Sequence, residues 1–247
     1  MNDRPAYELL AAELREAILT GDLTGRMPSV RTLAERHAVG TDVARRALEL
    51  LRSEGHVITK HGSGTYVRTF QRIMRRSPGR LSAGQWGAGQ MIQDADTGPR
   101  ARQVNVVVDE TPAPDYVAEA LGVALGEPVL YRSRQFLVED RPVQLSTSHL
   151  PLDIAGAGSR LFYTDVGPGG TYARLAELGH APVRFTERLT ARAPRPDEVE
   201  RLDLESSVGA IVIEITRCAY TAADRCVEVN RMVLDATAYE LEYAFTA

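Results

Sequence analysis

Cysteine is nearly absent: Cys218 and Cys226 are the only two in 247 residues, and no C-x-x-C spacing occurs. Two thiols are too few for a disulfide framework or a cysteine-rich zinc site. They are expected to stay reduced, half-buried and facing each other across a hairpin around residues 221–225. No run of about 18 uninterrupted apolar residues is present to cross a bilayer. Glu8, Glu13 and Glu16 break up the apolar pattern at the start, which is not how a secretory signal reads. A cytoplasmic protein without membrane contact is therefore expected. Lysine is scarce as well, Lys60 standing alone among 29 basic residues, and no chemistry follows from that bias. The histidines at 37, 56, 61, 149 and 180 are scattered. With them there is no metal-ligand cluster, no phosphate loop, no nucleophile elbow and no Ser-His-Asp set. Neither a cofactor nor a metal is expected, and an enzyme is the weakest of the readings.

What is present is the composition of a globular chain, 44% apolar and 25% charged, at a length that suits two compact domains. The net charge of -4 hides an asymmetry. Residues 1–80 hold 14 Arg and Lys against 9 Asp and Glu, leaving 15 against 24 for residues 81–247. The first third is thus near +5 and the remainder near -9. Phosphate contacts dominate nucleic-acid affinity, so the first third is the part expected to meet a polyanion.

Periodicity supports this. Tyr7, Leu10, Leu14, Ala17 and Ile18 recur at helical spacing after Pro5 and stop at Gly21. Ser29 can cap a short helix reaching His37, and Ala38, Val39 and Gly40 make a tight turn. A third helix starts near Thr41 with Ala44, Ala47, Leu48 and Leu51 inward, Asp42, Arg45, Arg46 and Glu49 outward, and Gly55 as its stop. Two strand-like runs, residues 57–60 and 65–67, flank His61, Gly62, Ser63 and Gly64, which reads as a glycine-tipped hairpin. Together these predict a winged helix-turn-helix over residues 1–70, with the third helix entering the major groove of double-stranded DNA.

Met27 to Ala34, Arg45-Arg46-Ala47-Leu48 with Leu51 and Glu54-Gly55, and Gly62-Ser63-Gly64-Thr65-Tyr66-Val67 resemble the GntR family of regulators. The resemblance covers most of residues 5–68. It implies that Arg31, Arg45 and Gly64 touch DNA. Thr41 and Arg46 on the recognition helix and Lys60, His61 and Gly62 on the wing complete the expected DNA-binding set. The chain departs from the family pattern in having Gly40-Thr41 and Val43-Ala44 where Ser-Arg and Thr-Val are usual.

Residues 71–89 are rich in Arg, Gly and Ser, include the lone Trp86, and read as a linker. Residues 90–247 alternate strands and helices without a dinucleotide fingerprint. The expectation is an α+β fold, a mostly antiparallel sheet with helices on one side. Tyr131-Arg132-Ser133-Arg134, the strand ending Ser148-His149-Leu150-Pro151, Gly170-Thr171-Tyr172 and Cys226-Val227-Glu228 with Asn230 are similar to the UTRA effector domain of the HutC subfamily, whose fold resembles chorismate lyase. That resemblance implies effector binding and dimerisation by this half. Arg132 and Arg134, two apart on a strand, share a face, and paired guanidiniums suit an anion. Thr171 and Tyr172 at a helix start add hydroxyls at the positive dipole end. Ser146, Ser148, Glu228 and Asn230 complete the expected effector set. His149 is read as a core histidine. Ser146, His149 and Gly170 replace Glu, Tyr and Ser of many relatives, which points away from a phosphorylated amino sugar. The predicted function is a homodimeric repressor that releases a palindromic operator when a small anionic metabolite binds. The alternatives are a repressor of plasmid-transfer or antibiotic-pathway genes with an apolar effector or none, and a lyase-like enzyme.

Overall fold

The computed structural model describes residues 4–60, 62–68, 70–204 and 210–245. His61, expected on the wing, lies outside the described residues. The chain forms two compact units, one made of residues up to Gln71 and one built from residues 72–204 and 211–245.

In the first unit, α1 (Ala6–Thr20) ends where Gly21 turns into the left-handed region at φ 84°. In α2 (Val30–Arg36) the Ser29 hydroxyl accepts the Thr32 amide at 3.1 Å, the expected cap. α3 (Thr41–Ser53) follows after a four-residue turn, and β1 (Val57–Lys60) pairs antiparallel with β2 (Gly64–Val67). The helices bury Leu10, Leu14, Leu33, Ala44, Ala47 and Leu51 in one core closed by Val57 of the hairpin. Arg15 of α1 grips Glu54, just past α3, with two hydrogen bonds of 2.6 and 2.8 Å, fixing the recognition helix against the first.

The second unit begins with β3 (Ile73–Ser77), then the short helices α4 (Ala83–Gly87) and α5 (Asp94–Thr97). Next come β4 (Ala101–Pro112), α6 (Asp115–Leu121), β5 (Pro128–Val138), β6 (Arg141–Pro151) and α7 (Leu152–Ala155). The chain ends with α8 (Gly170–Glu177), β7 (Arg184–Arg192), α9 (Pro196–Arg201), β8 (Val212–Tyr220), β9 (Cys226–Asp235) and β10 (Tyr239–Tyr243). Among the described residues, six strands form one antiparallel sheet in the order β4-β5-β6-β9-β8-β7, and β3 and β10 form a separate parallel pair.

Two expectations are corrected. Helices cover both faces of the large sheet: α7 and α8 pack with Leu130, Leu150 and Val227 on one side, α6 with Val129 and Val229 on the other. Long two-sided strands such as β5 and β6 are apolar or paired on both faces, and alternation alone cannot reveal which face a helix will cover. The linker assigned to residues 71–89 is folded from Arg72 on. Arg75 is 1% exposed and ion-paired with Glu187, and Arg80 grips Asp96 with two hydrogen bonds while only 4% exposed. Two of the arginines that suggested a solvated tether, Arg75 and Arg80, are instead buried against carboxylates, while Arg72 and Arg76 stay exposed. Trp86 is also buried, edge-on to Tyr172 at 6.5 Å.

Gly169 caps α8 at φ 78°, and an added Cβ would lie 2.4 Å from the Trp86 carbonyl oxygen. Gly169→Ala is expected to cost about 1–3 kcal/mol from backbone strain, with the clash against Trp86 adding to it, read by urea unfolding of the protein.

Candidate nucleic-acid interface and ligand pocket

The residues expected to face DNA are held out in solvent by the small core beneath them. Arg31 at the start of α2 has an 87% exposed side chain and an i,i+4 pair with Glu35; Arg45 on α3 is 59% exposed and pairs with Asp42 at 2.9 Å. Thr41 is the first residue of α3, and it and Arg46 are exposed on the same helix. Surface pairs of this kind contribute little and yield readily to a phosphate. On the wing, Lys60 pairs its backbone with Gly64, and Gly62 and Gly64 have φ of 70° and 110°. The Ser63 hydroxyl and the Tyr66 phenol hydrogen-bond at 2.8 Å across the tip. A Cβ on Gly64 would lie 3.2 Å from the Arg26 guanidinium, so glycine here serves the fold as well as any close backbone approach. Arg26 is a residue the sequence reading missed. It is exposed, bridges to Tyr66 and lies beside Gly64, yet in sequence it sits in an unpatterned loop.

The effector candidates divide. Arg134, Thr171, Tyr172, Glu228 and Asn230 line one cavity of about 30 Å³ between the sheet and the start of α8. Ser146 and Ser148 stand behind it, their hydroxyls accepting from Arg134, and Ser146 in turn donates to Asn230 at 3.0 Å. Arg132 is not brought into this set. Its guanidinium donates to the carbonyls of Leu161, Tyr163 (2.7 Å) and Thr164 (3.3 Å), tying down the loop before α8. It shares a face with Arg134 as expected, but its Nη donors are spent on backbone carbonyls.

The cavity has a second guanidinium that the sequence did not suggest, Arg217 of β8. It is 3% exposed and lies 5.5 Å from the centre of the Tyr172 ring. Nothing in its local sequence distinguishes it from a surface arginine, and only the pairing of β8 with β9 carries it to the pocket. Val227 is bulged opposite the Ala219–Tyr220 step, so Cys226 packs under α6 while Glu228, two residues on, turns into the cavity. The two cysteines belong to that α6 cluster as free thiols, Cys226 buried and Cys218 half-buried.

Electrostatics set the character of this pocket. Burial destabilises the charge on Arg134 and lowers its pKa, and burial followed by repulsion from Arg134 brings Arg132 down to about 10. Burial works against Arg217 too, but Tyr172, Glu228 and Glu187 outweigh it and hold the proton on. Guanidiniums remain charged at any working pH, so the charge must be balanced rather than shed. Arg134 and Arg217 face one lining carboxylate, Glu228, which leaves a net positive cavity at a helix N-terminus. Among the cavity's residues, Arg134 Nε, Arg217 Nε and Nη1, Thr171 Oγ1 and Glu228 Oε2 are buried without a hydrogen-bond partner; Arg75, Arg80 and Arg132 also keep such nitrogens, but away from the cavity lining.

An exposed winged helix joined to a separate unit with a polar, cationic cavity defines a ligand-responsive DNA-binding regulator. The comparisons agree. Residues 6–67 match the model of the bacterial regulatory proteins of the gntR family, and residues 99–240 match the UTRA domain. The chain belongs to the GntR transcriptional regulators that carry a UTRA domain, and it is not an enzyme. It is 29% identical over 252 residues to an HTH-type transcriptional regulator of Streptomyces coelicolor, covering 98% of this chain and 93% of that one. It is 24% identical over 223 residues to the HTH-type transcriptional repressor NagR of Bacillus subtilis, covering 87% and 84%. A crystal structure of a GntR-family transcriptional regulator superposes with a TM-score of 0.63 at 26% identity, covering 99% of both chains. Among the described residues no helix is long and apolar enough to cross a membrane.

On the opposite face of the sheet His149 is buried between the rings of Tyr116 and Tyr131, and burial pushes its pKa down to about 4. A histidine held neutral in the folded state binds its proton more weakly than in the unfolded chain. Stability is therefore full above the ordinary histidine value and falls as pH drops toward 4. Between pH 7 and pH 5 this one group is expected to cost about 2 kcal/mol, a slope that His149→Gln should flatten in urea titrations.

Proposed function

We propose that the protein is a cytoplasmic homodimeric repressor whose C-terminal cavity takes a small anionic metabolite, and that occupancy of the cavity loosens the hold on operator DNA. The observation that carries the anion is the pair of buried guanidiniums, Arg134 and Arg217, with unpartnered N–H groups at the start of α8. A buried donor left unpaired costs about 1–3 kcal/mol, and a carboxylate, phosphate or sulfate oxygen repairs it with a charge-assisted bond. An apolar effector leaves the same groups unpaired. Glu228 and Asn230 offer acceptors for a hydroxyl, amide or amine on the far side of such a ligand. Repression is supported by the name of the Bacillus subtilis relative, a transcriptional repressor. Two winged helices, one per subunit, suit a palindromic operator.

The cavity has room for a water or two. A metabolite larger than that requires the lining to open, and Met91, Ile92 and Gln93 are the part of it that lies outside the large sheet and α8 on a short connecting segment. This gives ligand binding a structural consequence, since the same segment runs back to β3. An effector that favours one arrangement changes DNA affinity by the same coupling energy with which DNA changes its own.

Two measurements test the reading. Calorimetric titration with inorganic phosphate should show at least about tenfold weaker binding in Arg217→Gln and in Arg134→Gln, the cost of one charge-assisted hydrogen bond. Equal affinity in the variants removes the pocket assignment. In gel shifts at fixed salt on the DNA flanking its own gene, Arg45→Ala should lose about 1–3 kcal/mol of binding. Wild-type affinity in that variant removes the recognition-helix assignment.

A further inference from the structure

Glu187 is a buried carboxylate that pairs both with Arg217 of the cavity and with Arg75 on the first strand of the C-terminal unit. It sits on β7, directly opposite Arg217 of β8 in the sheet register. Its Oε1 accepts a hydrogen bond from Arg75 of β3 and lies 3.8 Å from Arg217 Nη1. Its Oε2 accepts from the Tyr243 phenol of β10 at 3.3 Å. Arg75 and Tyr243 stand on the two strands of the parallel pair, so one carboxylate pins that pair to the edge of the large sheet. Arg75, Arg217 and Glu187 have side chains 1%, 3% and 8% exposed, which keeps water from screening the competition among them.

Resting on the reading of the cavity as an anion site, we infer that Glu187 and Arg75 are positioning residues: Glu187 divides its charge between Arg217 and Arg75, and an anion in the pocket shifts that division toward Arg75. With the pocket empty, Oε1 serves two guanidiniums, one of them closely. An anion that engages the free Nε and Nη1 of Arg217 draws its charge away from Glu187. The carboxylate then belongs to Arg75, and β3 is held more firmly. β3 begins shortly after Val67, where the wing ends, so the strand that tightens is the one through which the chain enters the C-terminal unit. Neither Glu187 nor Arg75 lines the cavity, so their substitution acts on the ligand only through Arg217.

This arrangement makes opposite predictions for two variants that touch no ligand. Removing the competing carboxylate in Glu187→Gln frees Arg217 and should tighten sulfate binding about threefold or more. Removing the other cation in Arg75→Met leaves Glu187 to Arg217 alone and should weaken it by a similar factor. The decisive measurement is amide hydrogen exchange over residues 73–77 of the full-length protein, with and without saturating sodium sulfate at constant ionic strength. Thermal melts and calorimetry of the same samples report folding and affinity. In the wild type, protection of these amides should rise about fivefold or more on sulfate addition, a coupling of ordinary size; in Glu187→Gln the rise should vanish although sulfate still binds. Sulfate binding with no change at residues 73–77, or a full rise in Glu187→Gln, overturns the relay and leaves the anion site standing. Should Glu187→Gln fail to fold, Arg75→Met decides alone: unchanged sulfate affinity overturns the relay. If the wild type binds sulfate nowhere in the cavity, the anion reading falls and takes the relay with it.

Discussion

Five buried arginines dictate the architecture of the C-terminal unit, because a guanidinium can neither lose its proton nor go unpaired in the interior without large cost. Each has a different solution. Arg80 is closed bidentately by Asp96, Arg75 by Glu187, and Arg132 by three main-chain carbonyls. Arg134 has only two serine hydroxyls, and Arg217 only a loose approach to a carboxylate already engaged elsewhere. The first three hold loops and strands in place, although each still keeps a buried N–H without a partner. What sets the last two apart is that both line the same cavity. One residue type thus both ties the unit together and lines its cavity, separated by where in the unit it is buried.

The N-terminal unit uses arginine in the opposite way. Arg31, Arg45 and Arg46 stand in solvent on helices whose packing depends on small and aliphatic residues, with weak local carboxylate partners. Such groups have little to lose on meeting phosphate, and releasing counterions from DNA drives the exchange. The difference follows the two folded units rather than the charge asymmetry alone, since Arg75 and Arg80 of the basic first third are buried in the C-terminal unit.

Much of this was legible in the sequence, and the boundary of legibility is physical. The winged helix-turn-helix follows local rules, a serine cap at Ser29, helical periodicity in residues 41–53 and a glycine tip, and these elements formed as read. The antiparallel sheet was legible for the same reason. Residues 72–89 were not, because a run of Arg, Gly and Ser looks solvated until Glu187 and Asp96, distant in sequence, are placed beside it. Arg134, Thr171, Tyr172, Glu228 and Asn230 line one cavity, Glu228 and Asn230 by strand alternation, while the bulge at Val227 turns Cys226 to the other face. Arg132 was paired with Arg134 by strand parity, which predicts a shared face but not which donors the backbone will claim. Arg217 was missed because its role depends wholly on which strand lies opposite.

The account turns on unbalanced positive charge in one cavity, and the most direct measurement is a crystal structure grown from phosphate. The predicted result is a phosphate ion within hydrogen-bond distance of both Arg134 and Arg217 at the N-terminus of α8, with Met91 to Gln93 displaced outward. A cavity filled by water alone, with Arg217 fully paired to Glu187 and the segment unmoved, would contradict it.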